Sequence, residues 1–201
     1  MLDNSKMRAL SAKSINPIAS ALIKARITAD QVTIFGAALS IIVSAKFLSQ
    51  GGFLIGGILL SLIGLSDVLD GTMARLTGKA GPWGAFLDST LDRIVDGAIY
   101  GSLIYFYSTN FGENSNLVVA LLIGLLGAFV TSYTRARWEA LSVVGKVGLA
   151  ERSERSIAMF TGLILTGLGL DVMAVVIYGL AFASAFTVYQ RVMFVRKQLK
   201  K

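Results

Sequence analysis

Residues Ser66 to Gly97 read SDVLDGTMARLTGKAGPWGAFLDSTLDRIVDG, and five of the chain's twelve acidic residues fall inside this window. Long apolar runs flank it on both sides. Carboxylates set among such runs are costly and mark a functional site or an ion pair, so this window decides how the rest of the chain is read.

Working outward, 54% of the 201 residues are hydrophobic, 15% are charged and two are proline, with a mean hydropathy of +0.68. A soluble domain of this size is far less apolar. The composition predicts an all-α integral membrane protein. Six apolar segments can be drawn, at about 31–50, 53–76, 84–107, 116–138, 155–170 and 172–194, most of them near the roughly 20 residues that cross a ~30 Å hydrocarbon core. Ahead of them Ile15, Ile18, Ala19, Leu22 and Ile23 recur at helical spacing among Lys6, Arg8, Lys13, Lys24 and Arg26. That pattern predicts an interfacial amphipathic helix within 1–28, and the same residues do not read as a cleaved signal peptide. The expected organisation is one domain over 1–201: the juxtamembrane amphipathic helix (1–28) followed by a six-helix transmembrane bundle (29–196), with no tandem repeat or linker.

Loop charges set the orientation. Arg75 and Lys79 lie in the second connection, Arg135, Arg137, Lys146, Arg152 and Arg155 in or beside the fourth, and Arg191, Arg196, Lys197, Lys200 and Lys201 at the end. The odd-numbered connections SQGG, YSTNFGENSN and GLGLD carry no Lys or Arg. The positive-inside rule then puts both termini and the acidic window on the cytoplasmic side of a multi-pass cell-membrane protein. The net charge of +7 is accounted for by this topology and by anionic lipid, so no nucleic-acid partner is expected.

Cysteine and histidine are both absent. Disulfides and thiol chemistry are excluded, as are the commonest general base and the commonest transition-metal ligand. Catalysis must rest on carboxylates, and a metal held by oxygen alone is Mg²⁺, Mn²⁺ or Ca²⁺.

The window itself reads as two helices joined by a turn at TGKAGPW. At about 100° per residue, Asp67, Asp70, Gly71, Ala74 and Arg75 fall within an arc of about 140°. Gly84, Asp88, Asp92 and Asp96 step by four along the second helix. If these faces meet, four carboxylates converge and call for a compensating cation, either one divalent ion or two with bridging carboxylates. Gly71 and Gly84 leave room beside them for a diphosphate, and Arg75 is placed to pair with a phosphate. The alternative is that such residues form structural ion pairs, with Arg75 or Arg93 as partners, a reading that suits Asp96 best.

From Asp67 to Asp92 the chain reads D-x2-D-G-x2-A-R-x8-G-x3-D-x3-D, which resembles the signature of the CDP-alcohol phosphotransferase family at all eight positions. The resemblance implies six transmembrane helices behind a juxtamembrane helix, a cytoplasmic site and a homodimer. It implies transfer of a substituted phosphoryl group from a CDP-linked lipid to an alcohol, with CMP leaving. It further implies that Asp67, Asp70, Asp88 and Asp92 hold Mg²⁺ or Mn²⁺, two ions in all, and that Asp92 is also the base for the acceptor hydroxyl. Gly71, Ala74 and Arg75 would line the CDP-diacylglycerol site, joined by Gly81 and by the segment Asp30, Gln31, Val32 and Thr33.

The segments SYTRARWEA and ERSER resemble those members of the family whose acceptor is inositol 1-phosphate. There Arg135, Arg137, Arg152, Arg155 and Arg191 would form the acceptor-phosphate pocket, as a second phosphate requires; taken alone, the same residues read as anchors for anionic headgroups. The expected reaction is transfer of the phosphatidyl group of CDP-diacylglycerol to inositol 1-phosphate, giving phosphatidylinositol phosphate and CMP. Glycerol 3-phosphate is the alternative acceptor. Rivals of other classes are a divalent-cation channel or transporter and a purely structural role for the aspartates.

Overall fold

The computed structural model describes residues 15–110, 115–143, 145 and 147–200. Helix α1 covers 15–24, and the rest of the expected amphipathic segment, residues 1–14, lies outside the described residues. It ends where Arg26 takes a left-handed φ of 63° and Ile27 N–H donates to Leu22 O at 3.0 Å. Thr28 and Gln31 then open α2 (Ala29–Phe47) reciprocally. Gln31 N–H donates to Thr28 Oγ1 at 3.2 Å, and Thr28 N–H donates to Gln31 Oε1 at 2.9 Å. This capping box satisfies donors that the first turn of a helix leaves without partners.

After a 3-10 turn (Leu48–Gln50) come α3 (Phe53–Ile63), α4 (Ser66–Leu76), α5 (Pro82–Asn110), α6 (Ser115–Ala140), α7 (Arg152–Gly167) and α8 (Met173–Leu199). No strand occurs among the described residues. The apolar run at 53–76 is two helices rather than one. A turn at Gly64 and Leu65 interrupts it, with Leu65 N–H donating to Leu62 O at 3.2 Å before the chain re-enters helix at Ser66.

Four helical stretches are long and apolar enough to cross a membrane: Ala29–Gln50, Phe53–Leu76, Asn116–Ala140 and Met173–Leu199. Helix α5 is longer than any of them but carries Asp88, Asp92, Arg93 and Asp96, while α7 has 16 residues, about 24 Å at 1.5 Å per residue. The exposure pattern is inverted relative to a water-soluble protein. Phe35, Phe182 and Val175 are 70%, 71% and 74% exposed, whereas Ser44, Ser184 and Thr187 are 0% exposed. Apolar side chains turned outward suit a lipid solvent, and small polar ones turned inward suit close helix packing.

The contacts gather the chain into two compact units, one joining the residues up to Ile42 to Ser61–Val95, the other joining Val43–Leu60 to Asp96–Lys201. In the first, α2 and α4 approach at Gly36, where a Cβ would stand 2.6 Å from Ser66 Oγ. In the second, α6 packs on α8 through Gly127, where a Cβ would stand 2.6 Å from Ser184 Cβ. Around that contact Leu48, Leu60, Leu103, Leu121, Leu163, Met173 and Ile177 form a core with at most 2% exposure.

Candidate active site

The acidic face belongs to the first unit. Asp70 is buried on α4 and accepts the Thr33 hydroxyl from α2 at 2.6 Å. The charges of Asp88 on α5 and Asp67 on α4 both act on it. Asp67 is exposed, Asp88 and Asp92 are half-buried, and Asp92 pairs with Arg93 at 3.8 Å.

Arg75 lies back along its own helix. Its Nη2 donates to Thr72 Oγ1 at 3.0 Å, and its Nη1 stands 3.5 Å from where a Cβ on Gly71 would be. Gly71 therefore leaves the α4 backbone open beside a guanidinium. At Gly84 an added Cβ would meet nothing within 4 Å, and at Gly81 only the Lys79 carbonyl at 4.0 Å. Ala74 is half-buried on the same helix.

The 30–33 segment divides by role. Asp30 accepts Trp83 Nε1 from α5 at 2.9 Å, Gln31 is engaged in the capping box, Val32 is half-buried and Thr33 holds Asp70. Sequence reasoning passed over Trp83. Its position directly before Gly84 of the motif was the available signal.

The donor set matches a hard divalent cation in chemistry, since every candidate ligand is a carboxylate oxygen. Among the described residues, though, no group of three or more acidic side chains is close enough together to hold one ion. What the helices bring together is Asp70 within reach of the charges of Asp88 and Asp67.

The arginines expected at the acceptor lie in the second unit. Arg155 is 5% exposed, and its Nη1 donates to Ala150 O at 2.9 Å. Arg191, equally buried, donates from Nε to Val147 O at 3.0 Å and from Nη1 to Thr131 O at 2.5 Å, with the Trp138 ring 5.3 Å from its guanidinium carbon. The charges of Arg135 and Arg155 act on Arg191. Arg135 is exposed and pairs with Glu139 at 3.0 Å. Arg152 begins α7, whose N-terminus is closed by a capping box between Glu151 and Glu154. Arg137 follows Arg135 by two residues, about 200° round the helix, and is exposed.

Sequence reasoning also missed what holds these arginines. Leu149 N–H donates to Gln190 Oε1 at 2.9 Å and Ala150 N–H to Thr187 Oγ1 at 3.1 Å, so the connection ahead of α7 is fastened to α8. Gly148 makes this approach close: at φ 142° an added Cβ would stand 2.8 Å from Thr187 Cγ2 and 3.3 Å from Arg191 Nε.

Fold and acidic face together describe an all-helical protein with four stretches apolar enough to cross a membrane and a set of aspartates on α4 and α5. Residues 26–189 match the CDP-alcohol phosphatidyltransferase family, and the chain belongs to it. It is 42% identical over 188 residues to the phosphatidylinositol phosphate synthase of Mycobacteroides abscessus, which covers 92% of this chain and 84% of that one. Two crystal structures of the Mycobacterium tuberculosis phosphatidylinositol phosphate synthase are also similar. The one with CDP-DAG bound has a TM-score of 0.87 at 35% identity, covering 92% of this chain and 94% of that one. The one in complex with manganese and citrate has a TM-score of 0.85 at 36% identity, covering 89% and 87%.

Proposed function

We propose that the chain transfers the phosphatidyl group of CDP-diacylglycerol to inositol 1-phosphate, as a phosphatidylinositol phosphate synthase. The observation that carries the reading is the likeness to the CDP-DAG-bound mycobacterial enzyme over 92% of this chain, with every position of the eight-residue motif present.

In this reading the acceptor hydroxyl attacks the phosphorus that bears diacylglycerol, Asp92 takes its proton, and the P–O bond to CMP breaks with the electron pair leaving on CMP. Asp67, Asp70, Asp88 and Asp92 hold Mg²⁺ or Mn²⁺, two ions in all, which neutralise the diphosphate and stabilise the departing nucleotide. Thr33 orients Asp70 for that task. Gly71 and Ala74 let the diphosphate approach α4, Arg75 pairs with it, and Gly81 with Asp30, Gln31 and Val32 borders the cytidine end. Arg135, Arg152, Arg155 and Arg191 draw in the acceptor's phosphate, with Arg137 on the outer side of α6. Positioning of two bound reactants then does much of the work.

The architecture that goes with this is a single domain in the cell membrane, with α5 and α7 completing six spans. Helix α5 crosses with its acidic face turned from lipid, and α7 crosses in spite of its length, its capped N-terminus standing among basic loops. Helix α1 lies at the interface, the site faces the cytoplasm, and the protein works as a homodimer. The distribution of Lys and Arg supports the orientation, and the relative in complex with manganese supports the metal site.

The test is to incubate membranes containing the chain with CDP-diacylglycerol and either inositol 1-phosphate or glycerol 3-phosphate, and to identify the lipid formed. Phosphatidylinositol phosphate and CMP are expected from the first mixture. Product from glycerol 3-phosphate alone would replace the acceptor, and metal flux into liposomes without CMP release would replace the enzyme by a transporter.

A further inference from the structure

Asp96 is the fifth carboxylate of the opening window, and the reaction just described gives it nothing to do. It lies on α5 four residues after Asp92, and it is 7% exposed. Its two oxygens face two arginines of α7: Oδ1 is 3.9 Å from Arg152 Nε, and Oδ2 is 4.0 Å from Arg155 Nη2. One turn further along α5, Tyr100 is buried and feels the charges of Arg155 and Asp96. Asp96 therefore stands between two guanidinium heads, one of which is already anchored at its far side on Ala150 O.

Two neighbouring guanidiniums repel each other, and in a buried setting that repulsion is poorly screened. A carboxylate between them offsets it and fixes their separation. Asp96 also repels an incoming anion, so the sign of its effect has to be decided. The pair keeps a net positive charge with Asp96 in place, and the Arg135 and Arg191 charges act in the same neighbourhood, so attraction for a dianion survives. Without the carboxylate the link that ties the two heads to a common point is lost, and fixed placement contributes more to recognising a tetrahedral phosphate than the removal of one repulsion.

We propose that Asp96 is a positioning residue for the acceptor, holding Arg152 and Arg155 at the spacing that receives the phosphate of the incoming alcohol. The proposal rests on the reading that these arginines bind that phosphate.

The experiment is steady-state kinetics of the full chain in membranes, with CDP-diacylglycerol and inositol 1-phosphate varied in turn, for the natural sequence, Asp96→Asn and Asp96→Glu. Asp96→Asn keeps the shape and removes the charge. Its KM for inositol 1-phosphate is expected to rise on the order of tenfold, with the KM for CDP-diacylglycerol unchanged and kcat at saturating acceptor nearly retained. Asp96→Glu restores the charge one methylene out of place and is expected to fall between the two. An acceptor KM that stays level or falls in Asp96→Asn, or a matching rise in both KM values, overturns the proposal. Should Asp96→Asn not accumulate folded, Asp96→Glu decides alone: a severalfold rise in acceptor KM with the donor KM unchanged supports positioning, and no change in either KM overturns it. Failure of the natural sequence to use inositol 1-phosphate would sink the proposed function instead, so the two failures are distinguishable.

Discussion

Thr33 on α2 donates its hydroxyl to the buried carboxylate of Asp70 on α4 across 2.6 Å. The bond crosses between helices 37 residues apart in sequence and fixes one oxygen of the most enclosed aspartate of the motif. Replacing Thr33 by Val keeps the shape and removes the donor. Since hydrogen bonds to charged groups contribute about 1.5–3 kcal/mol, Thr33→Val is expected to lower the melting temperature. It should also raise severalfold the Mn²⁺ concentration needed for half-maximal turnover. A metal titration of membrane activity measures this, and an unchanged midpoint would show that the Thr33 hydrogen bond does not prepare Asp70 for ion binding.

Asp92 and Asp70 should separate by phenotype. Asp92→Asn is expected to abolish CMP release while CDP-diacylglycerol still binds in calorimetry, because the lost group is the proton acceptor. Asp70→Asn should weaken metal dependence and donor binding together. Chelation by EDTA should silence the natural protein, with Mn²⁺ or Mg²⁺ restoring it. Full turnover in Asp92→Asn would remove the base assignment.

Arg155 on α7 and Arg137 on α6 should behave differently. Arg155 is 5% exposed among the other cations, whereas Arg137 leaves α6 on the side away from Arg135. Arg155→Ala is expected to raise the acceptor KM at least tenfold, since charge-assisted phosphate contacts are strong, and Arg137→Ala is expected to have a much smaller effect. Equal effects would place Arg137 in the pocket after all.

Trp138 is 3% exposed, with its ring 5.3 Å from the Arg191 guanidinium and 5.6 Å from the Phe194 ring centre. Trp138→Ala opens a void beside a buried cation and is expected to cost about 3–5 kcal/mol, seen as a large fall in melting temperature. Trp138→Phe should recover part of it. A melting temperature unchanged in the alanine variant would show that the ring does not support Arg191.

How much of this could be read from residues alone differed from place to place. Fixed spacing on a helix fixes direction, and the charges of Asp67 and Asp88 do act on Asp70. But spacing along two helices does not fix how far apart their carboxylates stand, and among the described residues no three acidic side chains are close enough to share an ion. The break at Gly64 and Leu65 was not legible, because an uninterrupted apolar run gives no local sign of a turn and Gly64 alone is a weak one. Gln31 had a legible local role: Thr28-x-x-Gln31 is a capping box by pattern, yet the family resemblance drew it toward the nucleotide. Arg191 shows the deeper limit. Its partners Thr131 O and Val147 O are 60 and 44 residues away, and backbone carbonyls carry no sequence signal, so a cation expected to meet a phosphate is found also serving as a clasp for a loop.

The break between α3 and α4 bears on how the protein is made. Helix α3 alone has 11 residues, apolar or glycine but for Ser61, about 16 Å, only half of a bilayer's hydrocarbon thickness. The apolar signal of the stretch is thus concentrated in its first half, and Asp67, Asp70 and Arg75 all fall in the second, towards one end, where a charge opposes partition less than it does at the helix centre. The 24-residue stretch Phe53–Leu76 is apolar enough as a whole to cross, so its first half supplies the drive to enter lipid and its second half carries the polar groups in behind it.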